Sequence, residues 1–180
     1  MTRILSALSE VSDSYDVLFC DLWGCLHNGL RPFPAAVEAL RGFKARGGTV
    51  ALLTNAPRPR ASVARQLAKI GVPEDCWDVI VTSGDSARAA MFAGVVGRRV
   101  YFIGEPHDLR FFEPMEIGED AVEVERVPLR EAEGIVCTGP VDPHEGPSVY
   151  RPDFLYAKQK GLKLLCANPD IVVDRGERRE

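Results

Sequence analysis

The chain has 180 residues, of which 46% are hydrophobic and 27% are charged, and its formal net charge is −4. This composition is typical of a globular protein that can bury a sizeable core, and it excludes an intrinsically disordered chain. The mild acidity argues against nucleic acid or an anionic membrane surface as a partner. No apolar run approaches the roughly 18 residues that span a bilayer. We therefore expect no nucleic acid and no membrane partner.

The five cysteines are an odd number, widely spaced and mostly embedded in apolar runs. They form neither a disulfide framework nor a paired zinc-binding pattern. The first residues lack the long apolar segment of a signal peptide. The expected location is therefore a reducing, cytoplasmic compartment.

The most informative stretch is an apolar run at residues 17–20 that ends at Asp21 and then turns at Gly24 and Gly29. In α/β folds the crevice outside the carboxyl ends of parallel strands holds the ligand, so an acid at the end of a buried strand is a candidate for chemistry. An alternative is an aspartate that only caps a strand-to-helix turn. We interpret Asp21 as the reactive residue.

The following elements alternate between helix and strand. Apolar residues at helical spacing follow Pro34, and proline is favoured in the first turn of a helix. A later strand ends at Thr82, and Ser83 is the expected N-cap of the alanine-rich helix after it. The pattern predicts a strand at 17–20, a helix at 34–46, a strand at 49–55, a helix at 59–70 and a strand at 79–81. Short loops between such elements indicate parallel strands, and hence a doubly wound α/β fold.

The second half of the chain is less regular. It predicts strands near residues 100–104, 122–127, 135–139 and 162–166, and a helix at 151–160. We place a soft boundary where the first β-α-β-α-β unit closes. The predicted domains are residues 1–84, the N-terminal part of an α/β core, and residues 85–180, a smaller α/β domain.

Polar side chains stand where three of the first strands end. Asp21 ends the first, Thr54 and Asn55 end the second, and Thr82 with Ser83 ends the third. On one edge of a parallel sheet they would combine a carboxylate with uncharged hydrogen-bond donors. Such a set suits a phosphate group that is bound by neutral donors and attacked by a carboxylate.

At this point the sequence resembles a known family, the haloacid dehalogenase-like (HAD-like) hydrolases, and within it the class IIA phosphatases of the nitrophenylphosphatase-like and N-acetylglucosamine-operon phosphatase-like subgroup. The first family motif is an Asp-x-Asp-Gly-Thr/Val-Leu turn after an apolar strand, and residues 21–26 read Asp-Leu-Trp-Gly-Cys-Leu. The second is an apolar strand that ends in Thr or Ser, and residues 52–55 read Leu-Leu-Thr-Asn. The Thr-Ser strand end at 82–83 and Asn-Pro-Asp at 168–170 are similar to further class IIA landmarks. The resemblance extends over nearly all of residues 16–175.

The resemblance implies a Rossmann-like HAD core with an inserted α/β cap, and a phosphoaspartyl mechanism. Asp21 would attack phosphorus and also bind Mg²⁺, and the aspartyl phosphate would then be hydrolysed. The backbone carbonyl of Trp23 would be a second ligand of Mg²⁺. Thr54 would donate its hydroxyl to the transferring phosphoryl group, with Asn55 near it. The implied substrate is a small phosphorylated metabolite.

Two departures from the family pattern weaken this expectation. Trp23 stands where the family has the aspartate that acts as general acid and base, and indole cannot transfer that proton. The later lysine and acidic motifs are not found, and Asp170 with Asp174 is the only late acidic pair. We therefore expect a core that is incomplete at its C-terminal end, with exposed strand edges that favour a homodimer. The alternative function is a phosphate-binding or partner-binding module that keeps the fold without the chemistry.

Three side chains near Asp21 have more than one interpretation. His27 could face the substrate, but a solvated loop histidine is the expectation. Cys20 and Cys25 are expected to serve packing rather than act as reactive thiols.

Overall fold

The computed structural model describes residues 4–115, 121–142 and 144–169, together with the backbone of residues 174–175 and 178–179. The chain divides into two compact units. The first comprises Met1–Thr54, Arg60–Val81 and Asp170–Glu180, and the second comprises Asn55–Pro59 and Thr82–Pro169. The predicted division into residues 1–84 and 85–180 stays a prediction.

The first unit contains a three-stranded sheet and two helices, preceded by two short 3-10 turns at Leu8–Glu10 and Ser12–Ser14. Its elements are β1 (Val17–Asp21), α1 (Pro34–Ala45), β2 (Thr49–Thr54), α2 (Arg60–Lys69) and β3 (Val79–Thr82). The strand order is β1-β2-β3, and β1 pairs with β2 in parallel. This is the alternating arrangement that the sequence predicts.

Helix α1 supplies much of the core of the first unit. Val37, Leu40 and Phe43 are buried on one side of it, at the spacing that places residues on a single helical face. Pro34 begins the helix, where its missing N–H costs no hydrogen bond. Gly47 follows the helix with φ of +89°, a left-handed conformation that glycine adopts without strain. The proline, the apolar spacing and the glycine that predict this helix from the sequence are therefore the features that form it.

One face of the three-stranded sheet carries exposed apolar side chains. Strand alternation in β1 leaves Val17 and Phe19 outward, and 69% of Phe19 is accessible to solvent. Leu53 of β2 and Val79 and Val81 of β3 are exposed as well. We call these five residues the open sheet face.

The second unit has a parallel sheet of four strands in the order β5-β4-β6-β7. Its elements are α3 (Ser83–Phe92), β4 (Arg99–Ile103), β5 (Glu125–Arg126), β6 (Gly134–Cys137), α4 (Arg151–Lys160) and β7 (Lys163–Cys166). The predicted strand at 122–127 is wrong in extent, because only two of its residues pair with β4. Helix α4 has the predicted bounds.

Apolar clusters lie in this unit on either side of its central strand β6. Val136 belongs to a cluster with Met91 and Phe111, whereas Ile135 packs with Ile103 and Ala157. Because successive strand residues point to opposite faces, neighbouring positions of β6 serve different clusters. The continuous apolar sequence of this strand follows from that double burial.

The cap of α3 differs from the prediction by one residue. The hydroxyl oxygen of Thr82 accepts a hydrogen bond of 2.9 Å from the N–H of Asp85, so Thr82 is the N-cap. Ser83 is the first helical residue, and its hydroxyl donates to the carbonyl oxygen of Ala167. The prediction of Ser83 as the cap is therefore wrong.

The backbone at the end of the chain forms the short antiparallel strands β8 (Asp174–Arg175) and β9 (Arg178–Arg179). In the part of the chain that the structure describes, none of the helices combines the length and the hydrophobicity of a membrane span.

Candidate active site

Asp21 is the last residue of β1 and lies opposite Leu53 in the register of β1 with β2. Thr54 is the next residue of β2, so the two strands bring the backbones of Asp21 and Thr54 to the same edge of the sheet. Neighbouring strands are about 4.8 Å apart. The Asp21 side chain is exposed, and its Oδ1 accepts a hydrogen bond of 2.7 Å from the N–H of Leu22. That bond fixes one carboxylate oxygen and orients the group at the strand end.

The loop after Asp21 is held by main-chain hydrogen bonds. The carbonyl oxygen of Leu22 accepts from the N–H groups of Leu26 and His27 at 2.9 and 3.0 Å. The N–H of Gly24 in turn donates to the carbonyl oxygen of His27 at 2.9 Å. Leu22 and Leu26 are buried, at 2% and 0% exposure, and anchor the loop. The turn therefore has a defined geometry next to the carboxylate.

His27 is buried inside this loop, with 1% of its surface exposed, so the expected solvated histidine is wrong. Its Nδ1 accepts a hydrogen bond of 2.9 Å from the N–H of Gly29. Burial lowers the pKa of His27, and the negative charge of Asp21 opposes that shift. With Nδ1 used as an acceptor, the neutral ring carries its proton on Nε2. Sequence reasoning offered one signal for this burial, since Gly24 and Gly29 bracket His27 closely enough to turn the loop back on itself.

Trp23 packs within the same loop. Its ring meets the His27 ring edge to face, with 5.3 Å between centroids. The indole also lies so close to Gly29 that a Cβ on that residue would overlap it, and Gly29 has φ of +84°. Only glycine satisfies both conditions at this position. The indole thus stands in the loop where the family motif has a carboxylate.

Cys20 and Cys25, on either side of Asp21, differ in environment. Cys20 is half-buried, and burial raises the pKa of its thiol to about 11. Cys25 is exposed, so the expectation that it serves packing is wrong.

Thr54 is buried at 5% exposure, and Asn55 follows it in the chain. Both residues take part in polar interactions within the protein. Asn55 is grouped with the second unit. The contacts of Thr54 and Asn55 with a phosphoryl group stay predictions.

The donor set can be compared with the needs of Mg²⁺. Among the described residues there is no group of three or more His, Cys, Asp or Glu side chains that could hold a metal ion. Magnesium is commonly held by only one or two carboxylates, with substrate phosphate and water completing its octahedron. The exposed carboxylate of Asp21 fits this pattern, and the Mg²⁺ contacts of Asp21 and of the Trp23 carbonyl stay predictions. Asp170 and the side chain of Asp174 lie outside the described residues.

Fold and site together define an α/β protein with parallel sheets, whose first strand delivers an exposed aspartate to a fixed glycine-containing loop. The family model described as haloacid dehalogenase-like hydrolase matches residues 18–118, which include β1 from Leu18 onward, β2, β3 and the Asp21 loop. The chain belongs to the haloacid dehalogenase-like hydrolases.

Solved structures support this assignment. A haloacid dehalogenase-like hydrolase from Brucella suis is 40% identical over 98% of this chain, with a TM-score of 0.86. A glycerol phosphate phosphatase from Mycobacterium tuberculosis, in complex with magnesium, is 25% identical over 91% of the chain, with a TM-score of 0.63. A 4-nitrophenylphosphatase from Thermotoga maritima shares the fold over 94% of the chain at 22% identity, with a TM-score of 0.66. The predicted membership of the haloacid dehalogenase-like hydrolases is confirmed, and the class IIA, nitrophenylphosphatase-like subgroup stays a prediction.

The chain spans 65% of the Brucella suis protein, 47% of the Mycobacterium tuberculosis protein and 60% of the Thermotoga maritima protein. No curated protein matches the chain.

Proposed function

We propose that this protein is a Mg²⁺-dependent phosphatase that hydrolyses a small phosphorylated metabolite through an aspartyl phosphate on Asp21. The observation that carries the proposal is the exposed Asp21 carboxylate at the carboxyl end of β1, in register beside the strand that ends at Thr54. Membership of a hydrolase family supports the reaction class. Two solved relatives are named as phosphatases, one of them in complex with magnesium.

In the proposed reaction a carboxylate oxygen of Asp21 attacks phosphorus and the ester oxygen leaves with its electron pair. Water then attacks phosphorus in the aspartyl phosphate, which releases inorganic phosphate and restores the carboxylate. Thr54 would donate its hydroxyl to a phosphoryl oxygen, and Asn55 would lie near it. When bound by the Asp21 carboxylate and the Trp23 carbonyl, Mg²⁺ would neutralise phosphoryl charge. Residues 85–180 would act as the cap that selects the substrate.

Trp23 shapes the proposed activity. Its indole N–H is a hydrogen-bond donor only and cannot exchange a proton with the leaving group or with water. General acid and base catalysis contributes about 10²- to 10⁴-fold in typical enzymes. We therefore propose weak turnover that favours activated aryl phosphates over alkyl phosphates.

A second candidate function is a phosphate-binding or partner-binding module that keeps the fold without turnover. The indole at position 23 favours it, since the side chain that normally transfers the proton is missing there. Under this alternative Asp21 would take part in binding rather than attack phosphorus.

We also propose that the 180-residue chain forms a homodimer in a reducing, cytoplasmic compartment. The open sheet face supports self-association, because contiguous exposed apolar surface favours association. The five free cysteines are compatible with such a compartment.

The test is phosphate release from p-nitrophenyl phosphate by the native chain and by Asp21→Asn, with and without Mg²⁺. Asp21→Asn keeps the size of the side chain while removing its nucleophilic charge. The phosphatase proposal expects Mg²⁺-dependent release that is lost in Asp21→Asn. Tight phosphate binding by the native chain without turnover would support the binding module and contradict the phosphatase.

A further inference from the structure

Cys137 and Cys166 lie side by side at the carboxyl ends of two adjacent strands. They are register partners in the parallel pairing of β6 with β7. In addition, the N–H of Ala167 donates a hydrogen bond of 2.9 Å to the carbonyl oxygen of Cys137, which holds the two strand ends together. Register partners on parallel strands share a face of the sheet and have Cα atoms about 4.8 Å apart. Cα separations of about 4.4–6.8 Å are compatible with a disulfide.

The pair is in the thiol state in this structure. The Cys137 thiol donates to the carbonyl oxygen of Gly139 at 3.7 Å, and the Cys166 thiol donates to the carbonyl oxygen of Asn168 at 3.2 Å. These are weak sulfur hydrogen bonds that small rotations of the side chains break. Closure of the pair would therefore not require separation of the strands.

The two thiols differ in accessibility. Cys166 is exposed, whereas Cys137 is half-buried and packs against the cluster of Ile103, Ile135 and Ala157. In such a pair the exposed thiol reacts first with a reagent in solution and forms a mixed disulfide. The half-buried thiol then attacks that mixed disulfide and closes the disulfide within the protein.

We propose that Cys137 and Cys166 are a redox modification site that low-molecular-weight disulfides convert into an intramolecular disulfide. The Cys166 thiolate attacks one sulfur of the reagent, which releases one equivalent of the reagent's thiolate. The Cys137 thiolate then attacks the Cys166 sulfur and displaces the second equivalent. The protein loses two protons and two electrons in total, and the reagent disulfide is reduced to two thiols. This proposal is independent of the phosphatase reaction.

The remaining cysteines provide an internal comparison. Cys76 is fully buried and its thiol donates to the carbonyl oxygen of Pro73 at 3.0 Å. Cys25 is exposed, and burial raises the pKa of its neighbour Cys20 to about 11.

Burial also raises the pKa of Cys137, so the resolving step should be faster at higher pH, where more thiolate is present.

The experiment treats the native chain with oxidised glutathione, alkylates the remaining thiols and maps disulfides by peptide mass spectrometry. The expected result is a peptide pair joined through Cys137 and Cys166, with loss of the mass of two hydrogen atoms from the intact chain. In Cys137→Ser a stable glutathione adduct on Cys166 should replace this link, and in Cys25→Ser the link should form as in the native chain. A native chain that retains glutathione on Cys166, or that alkylates fully at both positions, would overturn the proposal. The mapping on native protein decides the question even where a variant folds poorly.

Discussion

The N–H of Gly29 donates a hydrogen bond of 2.9 Å to Nδ1 of His27, and this bond closes the loop that contains Trp23. His27 also uses its main-chain N–H and carbonyl oxygen within the loop, on Leu22 and Gly24. One buried side chain therefore organises the segment that follows the proposed nucleophile. Its role is in the shape of the loop, since the ring nitrogen facing Gly29 is already occupied.

Replacement of His27 should destabilise the protein. His27→Ala leaves the Gly29 N–H without its acceptor and opens a cavity beside the Trp23 ring, with an expected cost of about 1–3 kcal/mol in the free energy of unfolding. Urea denaturation measures this loss. His144→Ala is the matched control, since His144 is exposed. Equal unfolding free energies for the two variants would contradict the assigned role.

Trp23 should make hydrolysis of the aspartyl phosphate much slower than phosphorylation of Asp21. With p-nitrophenyl phosphate the leaving group needs no proton, so phosphorylation of Asp21 proceeds while hydrolysis lacks a general base. A rapid burst of nitrophenol followed by slow turnover is expected in stopped-flow measurements. Trp23→Asp should raise the slow rate by about 10²-fold or more and remove the burst. An unchanged steady rate in Trp23→Asp would argue against the indole as the limiting feature.

Asp78 should make stability depend on acid pH. Hydrogen bonds from Lys44 and from the N–H of Val50, at 2.8 and 2.7 Å, hold its pKa below the ordinary value of 3.8. A carboxyl group whose folded pKa is depressed stabilises the fold above its unfolded pKa and loses this contribution as pH falls through the folded value. The difference in unfolding free energy between the native chain and Asp78→Asn should thus be full at about pH 6 and shrink below about pH 3.8. A difference that stays constant across this range would contradict the assignment.

The open sheet face should drive self-association. Phe19, in the middle of edge strand β1, has 69% of its surface exposed, and Phe19→Ser removes the largest apolar side chain of this face. Sedimentation velocity should show a weaker dimer for Phe19→Ser than for the native chain. Leu30→Ser is the matched control, because Leu30 is 71% exposed but lies in the loop outside the sheet. A native chain that sediments as a monomer at all concentrations would refute the dimer.

The elements with strong local signals were predictable from the sequence. Helix α1 follows from Pro34, an apolar stripe and Gly47, and β1 follows from a short apolar run that ends at Asp21. The strand predicted at residues 122–127 is longer than the observed two-residue strand β5. An alternating pattern gives no information on how many of its residues pair with a neighbouring strand. The cap at Thr82 was misplaced by one residue, since Thr82 and Ser83 both have hydroxyls and only the backbone geometry distinguishes them.

The sequence predicts only part of the candidate site. Asp21 and Thr54 were predicted at one sheet edge from strand order, which does not depend on details of packing. The burial of His27 was missed, because it arises from main-chain hydrogen bonds and from the close approach of Trp23 to Gly29. Such contacts depend on the three-dimensional path of a loop and leave little trace in residue periodicity.

The central claim is that Asp21 becomes phosphorylated. The most direct measurement is mass spectrometry of the Asp21 peptide from native chain quenched in acid during reaction with p-nitrophenyl phosphate and Mg²⁺. We predict a phosphoryl group on Asp21 in the native chain and none in Asp21→Asn. Phosphate release that continues in Asp21→Asn, with no phosphoryl group on the native peptide, would contradict the mechanism.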